Sequence, residues 1–269
     1  MPNPQGRIVL VTGATAGIGR ATAFAFAEAG AHVVLAGRRE ERLTETAEQL
    51  RAKGVRALPV PCDVTRPDEV TALMSKVAAE FDGLDVLVNN AGIGLYGPLE
   101  KISEETLREV FEVNVFGLLR VTREALPLLR KRKGAQIVNV SSVLGYRGLP
   151  LLGGYCATKA AVNAMTESLR TELEPEGMDV LLVSPGLTAT EFREHRRSAD
   201  GYVQDAIPLQ AMSAEEVARS ILGATRRRRR ETVLTLPGKV MVTANRWAPR
   251  LFDRVASRME KSNRRGGMK

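Results

Sequence analysis

Short apolar runs alternate with longer segments of helical periodicity along residues 1–225. The runs read "RIVLVTG", "AHVVLAG", "VRALPVPCDV", "LDVLVNNAG", "AQIVNVSS" and "MDVLLVSPG", and "TVLTL" follows further on. Unbroken apolar strands are typical of a parallel sheet that helices cover on both faces. The pattern predicts an α/β fold: a single doubly wound Rossmann-type domain over residues 1–236, with a parallel seven-stranded sheet. A C-terminal helical extension is predicted over residues 237–269.

Residues that favour helix ends stand between these runs. Pro67 and Ser103 are placed to begin helices, and Gly30 and Gly54 are placed to end them. Residues 103–129 keep a helical spacing of apolar residues throughout, which predicts one long helix.

The positive charge is concentrated near the end of the chain. The formal net charge is +8, yet residues 226–269 hold 14 Lys or Arg against three acidic residues, and residues 1–225 hold 25 basic and 28 acidic residues. This distribution argues against a nucleic-acid-binding domain. Two cysteines and two histidines give little support to disulfides or to a zinc site, so no metal is predicted. Without an apolar leader or an 18-residue apolar run, we expect a cytoplasmic protein.

A glycine-rich turn follows the first apolar run. In "TGATAGIG", Gly13, Gly17 and Gly19 have the spacing G-x-x-x-G-x-G. Ligands bind beyond the carboxyl ends of strands in such sheets, and the N-terminus of a helix offers free N–H groups to a pyrophosphate. Glycines also serve ordinary turns, but the position after the first strand favours a phosphate-binding loop.

A tyrosine and a lysine stand four residues apart in "GGYCATKAAV". On a helix, Tyr155 and Lys159 would share one face. The lysine ammonium would then lower the pKa of the phenol towards neutral pH, which would suit a general acid or base. The pair alone is a weak motif, because such a spacing also arises by chance.

Four further stretches form one ordered pattern with the glycine-rich turn and the Tyr155–Lys159 pair. "NNAG" follows the fourth apolar run, Asn114 stands in "EVNVFG", Ser142 in "NVSS", and "PGLTAT" follows the sixth run. Together they resemble the short-chain dehydrogenase/reductase family over residues 6–236. The resemblance implies a catalytic tetrad made of Asn114, Ser142, Tyr155 and Lys159. It also implies cofactor contacts from Tyr155 and Lys159 and from Gly13, Gly17, Ile18, Gly19, Arg38, Asp63, Val64, Asn90, Ala91, Gly92, Pro185, Gly186, Thr188 and Thr190.

The resemblance implies hydride transfer between a nicotinamide cofactor and a carbonyl or alcohol substrate. Tyr155 would give its proton to the substrate oxygen, Ser142 would stabilise the oxyanion, Lys159 would hold the ribose and Asn114 a water. Alternatives are a 3-oxoacyl thioester reductase of the same family and a non-catalytic NADP-sensing protein. A nucleic-acid binder built on the basic tail is a more distant alternative.

The end of the second apolar run bears on the choice of cofactor. NAD-specific folds of this kind place an acidic residue there, whereas this chain has Gly37 followed by Arg38 and Arg39. An arginine suits the 2′-phosphate of NADP(H), so NADP(H) is favoured over NAD(H). Alternatively, both arginines are solvated, or Glu40 and Glu41 pair with them.

Two regions towards the C-terminus lack a clear assignment. Residues 185–213 lose periodicity and resemble a substrate lid, in which His195, Arg196 and Arg197 either recognise an acidic substrate or form a solvated face. In the extension, four apolar residues share a helical face among basic residues: Leu251, Phe252, Val255 and Met259. Such a face suits peripheral membrane contact, packing over the substrate pocket, or contact with a partner subunit of a homodimer or homotetramer.

Overall fold

A computed structural model describes residues 3–199, 202, 211–247, 250, 253, 254 and 257. The strands in these residues are β1 (Ile8–Thr12), β2 (His32–Gly37), β3 (Ala57–Pro61), β4 (Val86–Asn89), β5 (Leu95–Tyr96), β6 (Gln136–Val140), β7 (Asp179–Ser184), β8 (Arg197–Ser198) and β9 (Glu231–Val233). The helices are α1 (Gly17–Glu28), α2 (Glu40–Arg51), α3 (Pro67–Phe81), α4 (Glu104–Phe111), α5 (Leu118–Arg130), α6 (Gly153–Leu173), α7 (Ala214–Arg227) and α8 (Leu236–Trp247).

The predicted doubly wound sheet is confirmed. Within the described residues, a seven-stranded parallel sheet has the order β3-β2-β1-β4-β6-β7-β9. From β1 the chain adds β2 and β3 on one side of the sheet, and it then adds β4 and the later strands on the other side. Ligands of such folds bind in the crevice between β1 and β4, where this change of side occurs. A separate pairing, two residues long, joins β5 to β8.

Residues of each central strand point alternately into two apolar layers. On β1, Leu10 packs in the layer that contains Val34 and Leu87, whereas Val11 packs in the layer that contains Val33. All five of these side chains are inaccessible to solvent. Burial on both faces explains why the strands read as unbroken apolar runs instead of alternating with polar residues.

The helix ends follow the chemistry predicted for them. Ser103 caps α4 by accepting a hydrogen bond from the Thr106 N–H (3.1 Å), and Pro67 opens α3. Gly30 and Gly54 follow their helices with φ values of +84° and +83°, in the left-handed region that glycine adopts without strain.

The prediction of one long helix over residues 103–129 is wrong in one respect. The segment is helical, but a π-helical turn, Glu112–Gly117, separates α4 from α5. Asn114 lies in this turn, and its side chain bonds to the main chain of Ile93 instead of pointing to solvent. Such wide turns are frequent at functional sites.

The extension begins next to the sheet. The helix α8 starts at Leu236, and Gly238 lies close to Val143, in the turn that follows β6. The predicted apolar face of Leu251, Phe252, Val255 and Met259 lies outside the described residues, as do positions 200, 201 and 203–210 of the lid region. No helix among the described residues is long and apolar enough to cross a membrane.

Candidate active site and cofactor cleft

The predicted site residues gather at one edge of the sheet. The glycine-rich loop follows β1, Asn90–Gly92 follow β4, Ser142 follows β6, and Pro185–Thr190 follow β7. Arg38 and Asp63 follow β2 and β3 at the same edge. The order of the strands therefore brings together residues that are far apart in the chain.

The glycine-rich loop is shaped by close backbone approach. Gly13 and Gly17 have φ values of +65° and +51°, and a Cβ on Gly17 would lie 3.0 Å from Cγ2 of Thr190. A Cβ on Gly19 would collide with the carbonyl oxygen of Gly13 and with Nδ2 of Asn90. Ala16, the residue before α1, provides no side-chain cap, so no side chain at that position competes with a ligand for the first N–H groups of the helix. This arrangement fits a bound pyrophosphate.

Thr12 holds the glycine-rich loop to the turn after β4. Its hydroxyl accepts hydrogen bonds from the N–H groups of Asn90 (3.0 Å) and Ala91 (3.1 Å). The Asn90 amide in turn donates to the Thr12 carbonyl (3.0 Å). Thr12 is not among the residues predicted from the sequence, although its position directly before Gly13 is a signal that could have found it.

Asn114 and Lys159 are both buried close to Gly92. The Asn114 amide donates to the Ile93 carbonyl (2.9 Å) and to the Thr158 hydroxyl (3.0 Å). The Lys159 ammonium donates to the Val140 carbonyl (3.1 Å). A Cβ on Gly92 would lie 3.1 Å from Oδ1 of Asn114 and 3.8 Å from Nζ of Lys159, so glycine lets the two side chains come close.

Tyr155, Ser142 and Lys159 lie together in one cluster. Ser142 lies beside the Tyr155 hydroxyl, and Nζ of Lys159 lies 5.8 Å from the centre of the Tyr155 ring. Ser142 is positioned by its own turn, because its hydroxyl accepts from the Leu144 N–H (3.1 Å). The i, i+4 spacing on α6 places the phenol beside the ammonium.

The protonation states in this cluster differ from the sequence-based expectation. Burial raises the pKa of Tyr155, and the neighbouring Ser142 opposes that rise only in part. Burial also lowers the pKa of Lys159 to about 8. The prediction that the lysine lowers the pKa of the phenol is therefore wrong for the protein alone, because loss of hydration of the phenolate outweighs other effects.

The predicted cofactor residues Arg38 and Asp63 lie just beyond the ends of β2 and β3. Arg38 is largely exposed, and its Nη1 lies 3.9 Å from the Asp63 carboxylate. Asp63 accepts hydrogen bonds from the N–H (2.9 Å) and hydroxyl (2.8 Å) of Thr65. Val64 packs against Gly117. Ile18 packs at the edge of an apolar layer.

Arg39 takes a position that no local sequence pattern indicates. Its guanidinium donates to the Thr15 hydroxyl inside the glycine-rich loop (2.9 Å) and to the Glu191 carboxylate (3.0 Å). The alternative pairing with Glu40 and Glu41 does not occur among the ion pairs of the described residues. Arg39 therefore links the glycine-rich loop to the segment after β7.

That segment lies over Tyr155. Thr190 caps a short 3₁₀ turn, Glu191–Arg193, and the Phe192 ring meets the Tyr155 ring edge-on with centroids 5.8 Å apart. Closer to β7, the Pro185 carbonyl accepts from the Val143 N–H (3.0 Å). The Thr188 hydroxyl donates to the Gly186 carbonyl (3.1 Å).

The basic residues of this segment have protein partners. Arg197 donates to both carboxylate oxygens of Glu109 (2.8 and 2.6 Å), and the Arg196 guanidinium lies 5.2 Å from the centre of the Tyr96 ring. Nε2 of His195 lies 3.7 Å from the Glu191 carboxylate. These contacts favour a role in holding the segment over recognition of an acidic substrate.

Comparison with known proteins identifies the family. The family model described as short chain dehydrogenase matches residues 7–201. The chain belongs to the short-chain dehydrogenase/reductase family. It is 36% identical over 269 residues to dehydrogenase/reductase SDR family member 7B of Bos taurus, a match that covers 96% of this chain and 82% of that protein.

Solved short-chain dehydrogenases support the same assignment. A Burkholderia phymatum member in complex with NAD aligns with a TM-score of 0.84 and 29% identity, covering 93% of this chain and 96% of that one. A Burkholderia cenocepacia member in complex with NADP aligns with a TM-score of 0.81 and 28% identity, covering 95% and 99%. The chain is thus an NAD(P)-dependent oxidoreductase of this family.

The close approach at Gly19 gives a stability prediction for this short-chain dehydrogenase/reductase. Gly19→Ala is expected to lower the free energy of unfolding by about 1–3 kcal/mol, because the added methyl group would collide with backbone. Gly223→Ala is the matched control: it lies within α7, a Cβ there would have nothing within 4 Å, and the change is expected to stabilise by about 0.5–1 kcal/mol. Urea unfolding measures both. Equal effects of the two substitutions would contradict the crowding at Gly19.

Proposed function

We propose that this protein is an NADP(H)-preferring oxidoreductase that interconverts a ketone or aldehyde and an alcohol, with Tyr155 as general acid/base. The cluster of Tyr155, Ser142 and the buried Lys159 carries the proposal. This cluster lies at the sheet edge where the glycine-rich loop fits a pyrophosphate.

A nicotinamide cofactor bound at this site would supply the chemistry of hydride transfer. In the reductive direction Tyr155 donates its hydroxyl proton to the carbonyl oxygen of the substrate. The raised pKa keeps the Tyr155 phenol protonated at neutral pH, so Tyr155 carries the proton that it donates. Ser142 donates a hydrogen bond to the developing oxyanion. Lys159 holds the ribose and favours the phenolate that Tyr155 leaves behind.

The proposed role of Asn114 is to position its neighbours. Its amide fixes the main chain at Ile93, next to Gly92, and bonds to Thr158, which precedes Lys159 on α6. This placement also suits a water that connects Lys159 to solvent, as the family resemblance implies.

The preference for NADP(H) is supported by the charge at the end of β2. No acidic residue stands where NAD-specific folds hold the ribose 2′-hydroxyl, and Arg38 and Arg39 follow Gly37 instead. Arg39 is already oriented by Thr15, which reduces the side-chain freedom that it would lose on binding a 2′-phosphate.

Arg38→Asp is expected to reduce the preference for NADPH over NADH by about tenfold or more, because one charge-assisted hydrogen bond is lost and repulsion is added. Calorimetry, or quenching of the single tryptophan Trp247, measures both dissociation constants. Arg219→Asp, an exposed change of equal charge on α7, is the control and should leave the ratio unchanged. A folded wild-type protein that binds neither cofactor would overturn the proposed function.

The 3-oxoacyl thioester reductase and the non-catalytic NADP sensor remain alternatives within the same family. A homodimer or homotetramer, a cytoplasmic location and peripheral membrane contact through the extension stay predictions. The proposed partner is a small carbonyl or alcohol substrate, and nucleic acid is not proposed.

A further inference from the structure

One carboxylate after β7 binds two arginines at the start of α2. Nη1 of Arg42 lies 2.9 Å from both carboxylate oxygens of Glu191, and Nη1 of Arg39 lies 3.0 Å from Oε2. Both arginines lower the pKa of Glu191, so its carboxylate is charged at neutral pH. We call these three residues the Glu191 cluster.

The Glu191 cluster lies against the cofactor cleft. Besides binding Glu191, Arg39 donates from Nε (3.2 Å) and Nη2 (2.9 Å) to the hydroxyl of Thr15 in the glycine-rich loop. Arg39 comes two residues after the last residue of β2, the strand end where such folds contact the ribose 2′ position. The Arg39 guanidinium thus binds the glycine-rich loop through Nε and Nη2, and it binds Glu191 through Nη1.

A carboxylate and a phosphate require the same donors. Both form short, charge-assisted and often bidentate hydrogen bonds with guanidinium groups. A carboxylate that is bound to a guanidinium therefore competes with a phosphate for the same N–H groups, and its negative charge repels the phosphate. Glu191 already occupies donors of both Arg39 and Arg42. A 2′-phosphate that approaches these donors must displace Glu191 or bind beside its negative charge.

We propose that Glu191 competes with the 2′-phosphate of NADP(H) for Arg39 and Arg42, and thereby limits the selectivity of the protein for NADP(H) over NAD(H). The inference rests on the proposed binding of a nicotinamide cofactor at this edge. It assigns to Glu191 a role in specificity that lies outside the catalytic tetrad. Since NAD(H) has a hydroxyl at the 2′ position, its affinity depends little on Glu191.

Glu191→Gln keeps the size of the side chain and removes its charge. The variant is expected to bind NADPH about three- to tenfold more tightly, because the partly exposed ion pairs that it removes are individually weak. The dissociation constant for NADH should change by less than about twofold. The measured quantity is the ratio of the two constants, which a general loosening of the segment would not change.

Two controls isolate the competition. Glu194→Gln removes an equal charge from an exposed position three residues along the same segment, for which the described residues show no ion pair. It should leave the ratio unchanged. In a protein that carries Arg39→Met and Arg42→Met, the further change Glu191→Gln should have no effect on the ratio, because the shared donors are gone.

The outcomes separate this inference from the proposed function. An increased NADPH preference in Glu191→Gln, absent in both controls, supports the competition whatever the preference of the wild type. An unchanged ratio in Glu191→Gln, in a protein that prefers NADPH, overturns the competition and leaves the proposed function intact. If the folded wild type binds neither cofactor, both fall.

Discussion

The Tyr155→Phe variant is expected to fold and to bind NADPH like the wild type, yet to lose at least about a thousandfold in kcat. The phenylalanine ring keeps the edge-on contact with Phe192 and the position on α6. What disappears is the hydroxyl that Ser142 contacts, and with it the group that can donate a proton to the substrate oxygen. Ser142 alone would still polarise the substrate carbonyl through a hydrogen bond. It would be a much less efficient proton donor to the substrate oxygen than Tyr155.

The measurement is steady-state reduction of a panel of aldehydes and ketones, together with NADPH binding by calorimetry. Tyr146→Phe is the control, since the Tyr146 hydroxyl donates to Glu231 (2.6 Å) and also contacts Ser184 (3.3 Å). That variant should retain kcat within about an order of magnitude. Comparable activity of Tyr155→Phe and the wild type would show that another group supplies the proton.

Local sequence patterns predict much of this fold, because local burial and turn chemistry determine it. The strands are apolar throughout since both faces are covered, and Gly30 and Gly54 end helices since both adopt positive φ. The alternation of strands and helices then implies parallel connections, and hence the edge where the tetrad and the glycine-rich loop meet.

Features that depend on distant pairings could not be predicted in the same way. Glu191 lies some 150 positions after Arg39 and Arg42 in the chain, and no local pattern marks their contact. The short pairing of β5 with β8 has the same origin. The π-helical turn at Asn114 reflects hydrogen bonds to Ile93 and Thr158, whereas the apolar spacing around it reads as a regular helix.

The pKa values of Tyr155 and Lys159 could not be predicted from the sequence either, because burial has the largest effect on both. Spacing alone places Lys159 beside Tyr155 and suggests a simple attraction between ammonium and phenolate. The structure adds that burial favours the neutral form of each group. In the proposed mechanism Lys159 contacts the ribose and the phenolate, although burial of its charge makes the folded protein less stable.

The Lys159→Met variant is therefore expected to be more stable than the wild type and nearly inactive. The pKa of Lys159 falls from 10.5 to about 8 on folding, so the charged lysine costs up to about 3 kcal/mol at pH 7, where it is protonated in both states. The lost hydrogen bond to the Val140 carbonyl offsets part of this, which leaves a net gain of about 1–2 kcal/mol. Activity should fall at least about a hundredfold, because the ribose contact and the charge beside Tyr155 are lost.

The pH dependence of the difference tests this explanation. Between pH 8 and pH 10.5 the unfolded chain binds a proton that the folded protein does not, so the wild type gains stability relative to Lys159→Met as pH rises. The advantage of the variant should be largest below pH 8 and should fade towards pH 10. Urea unfolding at several pH values measures it, and the exposed Lys76→Met on α3 should show no such trend. A constant difference would mean that burial does not penalise the Lys159 charge, and a stable variant with full activity would remove Lys159 from the proposed mechanism.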